Sequence, residues 1–147
     1  MIELFFDGAC EPINPGGTAS YGWLLKQDGK ILKSGFGIVG KGDGMTNNIA
    51  EYNGLIKGLE EFIKLNIKEK LYIKGDSNMV INMVSGQWGW NKKKTKWNPH
   101  SKMPHLKKLL NEVLNLLNKI DYEVKWVPRE QNEEADILSK NLSTLTF

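Results

Sequence analysis

Apolar and polar positions along the chain follow two different periods. Ile2, Leu4, Phe5 and Phe6 form a short apolar run that meets Asp7-Gly8, which predicts a buried strand over residues 2–6 closing in a turn. Glu11-Pro12-Ile13-Asn14-Pro15-Gly16-Gly17 reads as a loop. Residues 19–27 and 30–39 read as two strands joined at the hairpin signal Asp28-Gly29, so the first three strands form an antiparallel meander. After Gly44 the period changes. Ile49, Tyr52, Leu55, Ile56, Leu59, Phe62 and Ile63 recur every three or four residues, marking a long amphipathic helix that Thr46 or Asn47 can cap. Leu71-Tyr72-Ile73-Lys74-Gly75 predicts a fourth strand, with Asp76-Ser77 as a capping pair for a helix holding Val80, Ile81 and Val84 and stopping near Gly86. Leu106, Leu109, Leu110, Val113, Leu117 and Ile120 predict another helix. Residues 122–127 predict a fifth strand, and residues 132–142 a last helix.

The order β-β-β-α-β-α-α-β-α implies an α/β fold with a five-stranded mixed sheet flanked by helices. Crossover connections would place strands four and five parallel to strand one. The 147 residues are one domain's worth, with no repeat and no linker. The reading is therefore a single domain over 1–147 with a basic protrusion around 86–105. Leu142, Leu145 and Phe147 are expected to pack back on the sheet.

Composition narrows the function classes. Apolar content of 40% with 25% charged residues suits a globular chain able to bury its own core. Cys10 is the single cysteine, which excludes an internal disulfide framework and a cysteine-cluster zinc site and fits a reducing compartment. No segment approaches the roughly 20 apolar residues of a membrane helix, and the N-terminus lacks the basic flank of a signal peptide. Asn141-Leu142-Ser143 matches a glycosylation acceptor by chance. The expected location is the cytoplasm, with no membrane partner and a monomeric state. The net charge of +3 is too small to argue for nucleic acid, but its distribution does. Between Ser77 and Asn111 there is no Asp or Glu, while Lys92, Lys93, Lys94, Lys96, Lys102, Lys107 and Lys108 fall in that stretch. Such a block is either a solvated face or a footprint for a polyanion.

Four acids stand where chemistry is expected. Asp7 and Asp76 each follow an apolar strand, and two parallel strands would present them side by side at the carboxyl edge of the sheet. Glu51 lies in the first turns of the first helix and Asp136 early in the last. Taken singly each has a structural explanation: Asp76 as an N-cap, Asp7 as a turn residue, Glu51 and Asp136 as acids suited to a helix start. Together they form a cluster that repels itself unless cations hold it, and oxygen-only ligands suit hard ions such as Mg²⁺ or Mn²⁺. Two ions about 4 Å apart serve phosphoryl transfer, which needs no serine triad. The histidines, His100 and His105, both lie in the basic segment.

These residues resemble the type 1 ribonuclease H family (ribonuclease HI) through nearly the whole chain. Asp7-Gly8-Ala9-Cys10 followed by Asn14-Pro15-Gly16-Gly17 is similar to the family's first-strand motif and loop. Thr46-Asn47-Asn48-Ile49-Ala50-Glu51, Gly75-Asp76-Ser77 and Asn132-Glu133-Glu134-Ala135-Asp136 are similar to its three later motifs, in order. The resemblance implies a metal-dependent endonuclease that cuts the RNA strand of RNA–DNA hybrids, leaving 5′-phosphate and 3′-hydroxyl ends. Asp7, Glu51, Asp76 and Asp136 would bind two Mg²⁺ ions, with Mn²⁺ able to substitute. Asn14, Asn47 and Asn48, with backbone groups around Gly8 and Cys10, would contact the hybrid in its shallow minor groove, where 2′-hydroxyls distinguish RNA, and Thr46, Asn78 and Asn132 would be further substrate-binding residues. Trp88, Trp90, Lys92, Lys93, Lys94 and Lys96 resemble the family's substrate-binding protrusion, with lysines on phosphates and an indole against a sugar or base. Core packing explains the two tryptophans equally well.

The chain departs from the family in two places. The loop before the last helix, Val127-Pro128-Arg129-Glu130-Gln131, holds no histidine. Arg129 stands there, as in a subset resembling archaeal forms, and it is the one arginine of the chain. A planar, permanently charged donor suits a phosphate and cannot act as a base near neutral pH; the alternative is an ion pair with Glu130 or Glu133. Asn78 stands where many members carry glutamine. Two rival functions stay open: a nuclease of the same superfamily that also cuts double-stranded RNA, and a non-catalytic hybrid-binding module. A domain excised from a reverse transcriptase is a further possibility, although the start at the first strand suits a free-standing protein.

Overall fold

A computed structural model describes residues 1–140. The strands are β1 (Ile2–Glu11), β2 (Thr18–Gln27), β3 (Lys30–Lys41), β4 (Leu71–Gly75) and β5 (Tyr122–Trp126). The helices are α1 (Asn47–Lys64), α2 (Asn78–Val84), α3 (Pro104–Leu117) and α4 (Glu133–Lys140). The sheet order is β3-β2-β1-β4-β5. The meander is antiparallel, and β4 runs parallel to both β1 and β5, as the element order predicts. Among the described residues no helix is long and apolar enough to cross a membrane. Leu142, Leu145, Phe147, the Asn141-Leu142-Ser143 match and the end expected for the last helix lie outside the described residues.

The core lies between the sheet and α1, α2 and α3. Ile2, Leu4, Phe6, Leu71 and Ile73 from the central strands meet Tyr52, Leu55, Leu59 and Phe62 of α1 and Leu106, Leu110 and Val113 of α3. Alternate strand residues bury one face while the three- and four-residue helical stripe buries the other, so each apolar pattern is satisfied by its neighbour. α4 packs on the opposite face. Gly22 of β2 permits this approach: a Cβ there would lie 2.5 Å from Leu138 Cβ and 2.6 Å from the Ala135 carbonyl oxygen. Gly8 does the same for α1, where a Cβ would collide with the backbone of Ala50 and Glu51.

Several expected boundaries move. β1 does not end at Phe6 in a turn. It continues through Asp7 and Gly8 to Glu11, because β2 is long enough to pair with it throughout, Asp7 opposite Gly22 and Glu11 opposite Thr18. Its pairing with β4, however, ends at Phe5 opposite Lys74. Beyond that point one side of β1 is open. α3 stops at Leu117, short of Ile120, and β5 stops at Trp126. The last helix begins at Glu133 after a single 3₁₀ turn over Arg129–Gln131, and Asn132 precedes it.

Candidate active site: an acidic notch beside β1

The open side of β1 is where the acids meet. Asp7 projects from the strand just past its last pair with β4, and Asp76 follows the end of β4. Glu51 arrives from the first turns of α1, which Gly8 admits. One carboxylate oxygen from each of Asp7, Glu51 and Asp76 lies within 4.8 Å of the others. Asp136, in the first turn of α4, adjoins Asp7, and its Oδ1 lies 3.4 Å from Lys140 Nζ. These residues line a cleft of about 420 Å³ together with Gly8, Cys10, Asn47, Trp126 and Arg129.

The caps are now distinguishable from the chemistry. Thr46 caps α1, its Oγ1 accepting from the Ile49 amide at 3.2 Å. Ser77 caps α2 by accepting from Val80 N at 3.2 Å. Neither Asp76 nor the Asn47–Asn48 pair is used as a cap, so these side chains are available to the cleft.

The electrostatics are those of a site built for cations. Burial pushes the Asp7 carboxyl up to about 7; hydrogen bonding with Glu51 opposes the effect, the Asp76 charge and hydrogen bonding with Asp136 add to it, and the Gly8 amide opposes it. Burial, and then the Asp7 charge, hold Glu51 well above the ordinary carboxylate range. Both shifts run the same way: burial and mutual repulsion disfavour two adjacent negative charges here. Glu51 Oε2 is buried and has no hydrogen-bond partner. An oxygen-only cluster with one orphaned oxygen matches the ligand preference of Mg²⁺ or Mn²⁺, and a bound cation would relieve both the repulsion and the orphan. The residues present therefore fit a hard divalent ion.

Around the cluster the expected contact residues separate into groups. Asn14 and Asn47 pair across the cleft mouth, Asn14 Nδ2 donating to Asn47 Oδ1 at 2.8 Å and Asn14 Oδ1 accepting from the Asn47 amide at 3.3 Å. Asn48 is half-buried beside them, and Asn78 is exposed at the start of α2, where its Oδ1 accepts from Asn82 Nδ2 at 2.8 Å. Gly8 donates its amide to Asp7 Oδ1 at 2.9 Å. Cys10 is buried, its thiol 3.2 Å from the Ile13 carbonyl oxygen.

Asn132, expected as a contact residue, is 1% exposed, and its Nδ2 donates to the Phe6 carbonyl at 2.9 Å. A side chain so enclosed ties the start of α4 to β1, placing Asp136 near Asp7. Thr46, whose hydroxyl is engaged as the α1 cap, likewise serves the helix that presents Glu51. Arg129 pairs with neither Glu130 nor Glu133: its Nε lies 3.9 Å from Asp76 Oδ2, and its side chain is 83% exposed.

Trp88 and Trp90 are exposed, and with Lys92 and Lys94 they line a separate depression. Lys93 and Lys96 are exposed nearby. Within this segment it is Trp97, and neither Trp88 nor Trp90, that packs on the core. Three further cleft residues, Trp126, Lys140 and Glu11, escape sequence reasoning. Trp126 donates its indole N–H to the Asp76 carbonyl at 3.1 Å, and Lys140 lies 4.0 Å from Glu11 Oε1 as well as near Asp136. Trp126 was discoverable, since it ends a strand parallel to the one that carries Asp76 and pairs with Gly75. Glu11 was not, because β1 was expected to end before it.

Comparison with known proteins agrees with this geometry. Residues 5–142 match the family model described as "Reverse transcriptase-like". The chain is 33% identical over 140 residues to a protein of Halobacterium salinarum named "Ribonuclease HI", covering 94% of this chain and 62% of that protein. It is 34% identical over 148 residues to "Ribonuclease H" of Pseudomonas savastanoi pv. phaseolicola, covering 94% of this chain and 89% of that one. The crystal structure of RNase H1 from Halobacterium salinarum NRC-1 superposes with a TM-score of 0.77 at 30% identity, covering 97% of this chain and 98% of that one. The chain spans less than two thirds of the haloarchaeal relative's length and 32% of the mycobacterial relatives it also matches.

Proposed function

The chain belongs to the ribonuclease H family, and from that premise we propose that it hydrolyses the RNA strand of RNA–DNA hybrids, leaving 5′-phosphate and 3′-hydroxyl ends. The observation that carries the reading is the cluster of Asp7 and Glu51, both buried, with the half-buried Asp76, one oxygen of each lying within 4.8 Å of the others. With Asp136 they would hold two divalent ions, Mg²⁺ in the first place and Mn²⁺ as a substitute. Such ions, when bound, supply an activated water and neutralise the charge on the leaving oxygen.

The remaining work belongs to the protein's own groups. Asp7 and Glu51 would hold such an ion as carboxylates, so its binding is expected to weaken as pH falls. Trp126 steadies the Asp76 corner through its carbonyl, and Asn132 steadies α4 through Phe6. Arg129 reaches past Asp76 toward the solvent, where a guanidinium can hold a phosphate in two-pronged fashion while staying charged. Asn47 lines the cleft and Asn14 is bonded to it, and with Asn48 they would offer amides able both to donate and to accept, as 2′-hydroxyl recognition requires. The exposed lysines of the 86–105 segment hold the DNA strand's phosphates, in a single-domain protein that acts as a monomer.

The test is cleavage of a labelled hybrid, duplex RNA and duplex DNA with Mg²⁺, Mn²⁺ or EDTA, alongside Asp76→Asn. Cutting of the hybrid alone, abolished by EDTA and by Asp76→Asn, is expected. Activity that survives either treatment overturns the metal-dependent mechanism, and equal cutting of duplex RNA overturns hybrid specificity.

A further inference from the structure

Tyr52 and His100 form a buried polar pair that the proposed chemistry does not use. Tyr52 follows Glu51 in α1 and is fully buried; His100 is 5% exposed at the far end of the lysine segment. The Tyr52 hydroxyl lies 2.6 Å from His100 Nε2, and the two rings meet edge to face at 5.7 Å. His100 Nδ1 is buried with no partner. His100 also sits in the left-handed region at φ 54, a conformation that surrounding structure must enforce on a side chain of this kind. Burial, and then the nearby His105, lowers its pKa, so the neutral ring is the form that fits here.

The segment that ends at His100 is cross-linked within itself. Asn91 N donates to the Lys96 carbonyl at 3.0 Å and Asn98 N to the Gly89 carbonyl at 2.8 Å. Trp97 Nε1 donates to the Trp88 carbonyl at 2.7 Å and Trp90 Nε1 to the Gly86 carbonyl at 2.8 Å. It therefore moves as a unit, and its tethers decide where that unit stands. At one end the amides of Gln87 and Trp88 share the Asn82 carbonyl of α2, the helix that leads directly into it. At the other, the His100 carbonyl accepts from Met103 just before α3. Among the described residues, Tyr52–His100 is the hydrogen bond that carries the segment to an element other than these flanking helices. The element it reaches is the helix that presents Glu51.

We propose that the Tyr52–His100 hydrogen bond is a pin that sets the lysine segment at a fixed position relative to the carboxylates, which makes His100 a positioning residue for the nucleic-acid strand the segment grips. The proposal rests on the function proposed above for its substrate. The carboxylates stand on β1, α1 and the end of β4, so releasing the segment leaves them in place. Loss of the pin misplaces the lysines that meet phosphate and spares the chemistry. The bond needs a ring nitrogen or an equivalent polar atom at position 100. A glutamine can offer one, and an alanine cannot.

The experiment combines kinetics on a labelled hybrid in Mg²⁺ with amide hydrogen exchange over residues 86–103, for the wild type, His100→Ala, His100→Gln and Tyr52→Phe. Tyr52→Phe removes one oxygen and keeps the ring, so it tests the bond even if His100→Ala folds poorly. His100→Ala and Tyr52→Phe are each expected to raise KM about five- to tenfold with kcat within about twofold, and to speed exchange across the segment. His100→Gln is expected to recover most of the KM. Unchanged exchange, an unchanged KM, or a fall in kcat at constant KM overturns the pin. If the wild type neither binds nor cuts the hybrid, the proposed function fails. The pin is then judged by the exchange rates alone: faster exchange in the two variants supports it and unchanged exchange overturns it.

Discussion

Asp7 is a carboxylate held in a place that does not favour its charge. Its ionisation in the folded protein near 7, against 3.8 as a free side chain, gives the sign of its effect on stability. A group whose folded pKa is raised contributes stability that is complete below the unfolded value and is lost as pH rises through the folded one. Without divalent ions the protein is thus expected to lose stability between about pH 4 and pH 8 as this residue ionises. Asp7→Asn should be the more stable protein at pH 8 without cation, and the difference should vanish toward pH 4; thermal melts across that range check it. Adding Mg²⁺ should reverse the order, because ligation stabilises the wild type alone. Arg129 supports a second prediction at this scale. Its guanidinium has one weak ion pair and open solvent, so Arg129→Ala should leave the melting temperature within about 2 °C, the scale of a surface substitution. The same change should lower kcat/KM by about tenfold, with Arg129→Lys recovering part of it.

At the scale of elements, two glycines decide how closely the helices approach the sheet. Gly22→Ala would force α4 off β2 at Leu138, Ala135 and Ser139, and with it move Asp136. The expected cost is about 1–3 kcal/mol in a denaturant titration, accompanied by weaker Mg²⁺ binding in calorimetry. The same elements show what a sequence can and cannot disclose. The order of strands and helices was legible, since each has its own apolar period and the crossovers fix which strands run parallel. The end of β1 was not, because Asp7-Gly8 carries the chemistry of a turn while its actual conformation is dictated by ten-residue pairing with β2. The four acids could be located at one edge, but the role of Asn132 could not. Nothing local distinguishes an amide that touches a ligand from one that holds the Phe6 carbonyl from behind.

For the whole molecule the distribution of charge matters more than its total. The acids are gathered in the notch beside β1, and the lysines of the 86–105 segment stand apart from them, exposed. Neutralising phosphates with those lysines should make hybrid binding fall steeply with salt. Replacing Lys92, Lys93, Lys94 and Lys96 together by alanine should flatten the slope of log K against log salt by about one unit for each phosphate that goes unneutralised, while leaving cation affinity at the notch unchanged. The basic block was visible in sequence. Its internal bracing was not, because Trp88, Trp90 and Trp97 look alike until Trp97 is seen against the core.

The notch exists because β1 outruns β4, and its three clustered acids come from three separate parts of the chain. This has a consequence for synthesis on the ribosome. A growing chain that has released β1 and α1 holds Asp7 and Glu51 but no third ligand. Asp76 enters only when β4 has paired alongside β1, and Asp136 only when α4 has crossed the other face. A complete set of four acids therefore requires every one of these elements to be in place, and a chain truncated before β4 is expected to bind Mg²⁺ more weakly than the full chain in calorimetry.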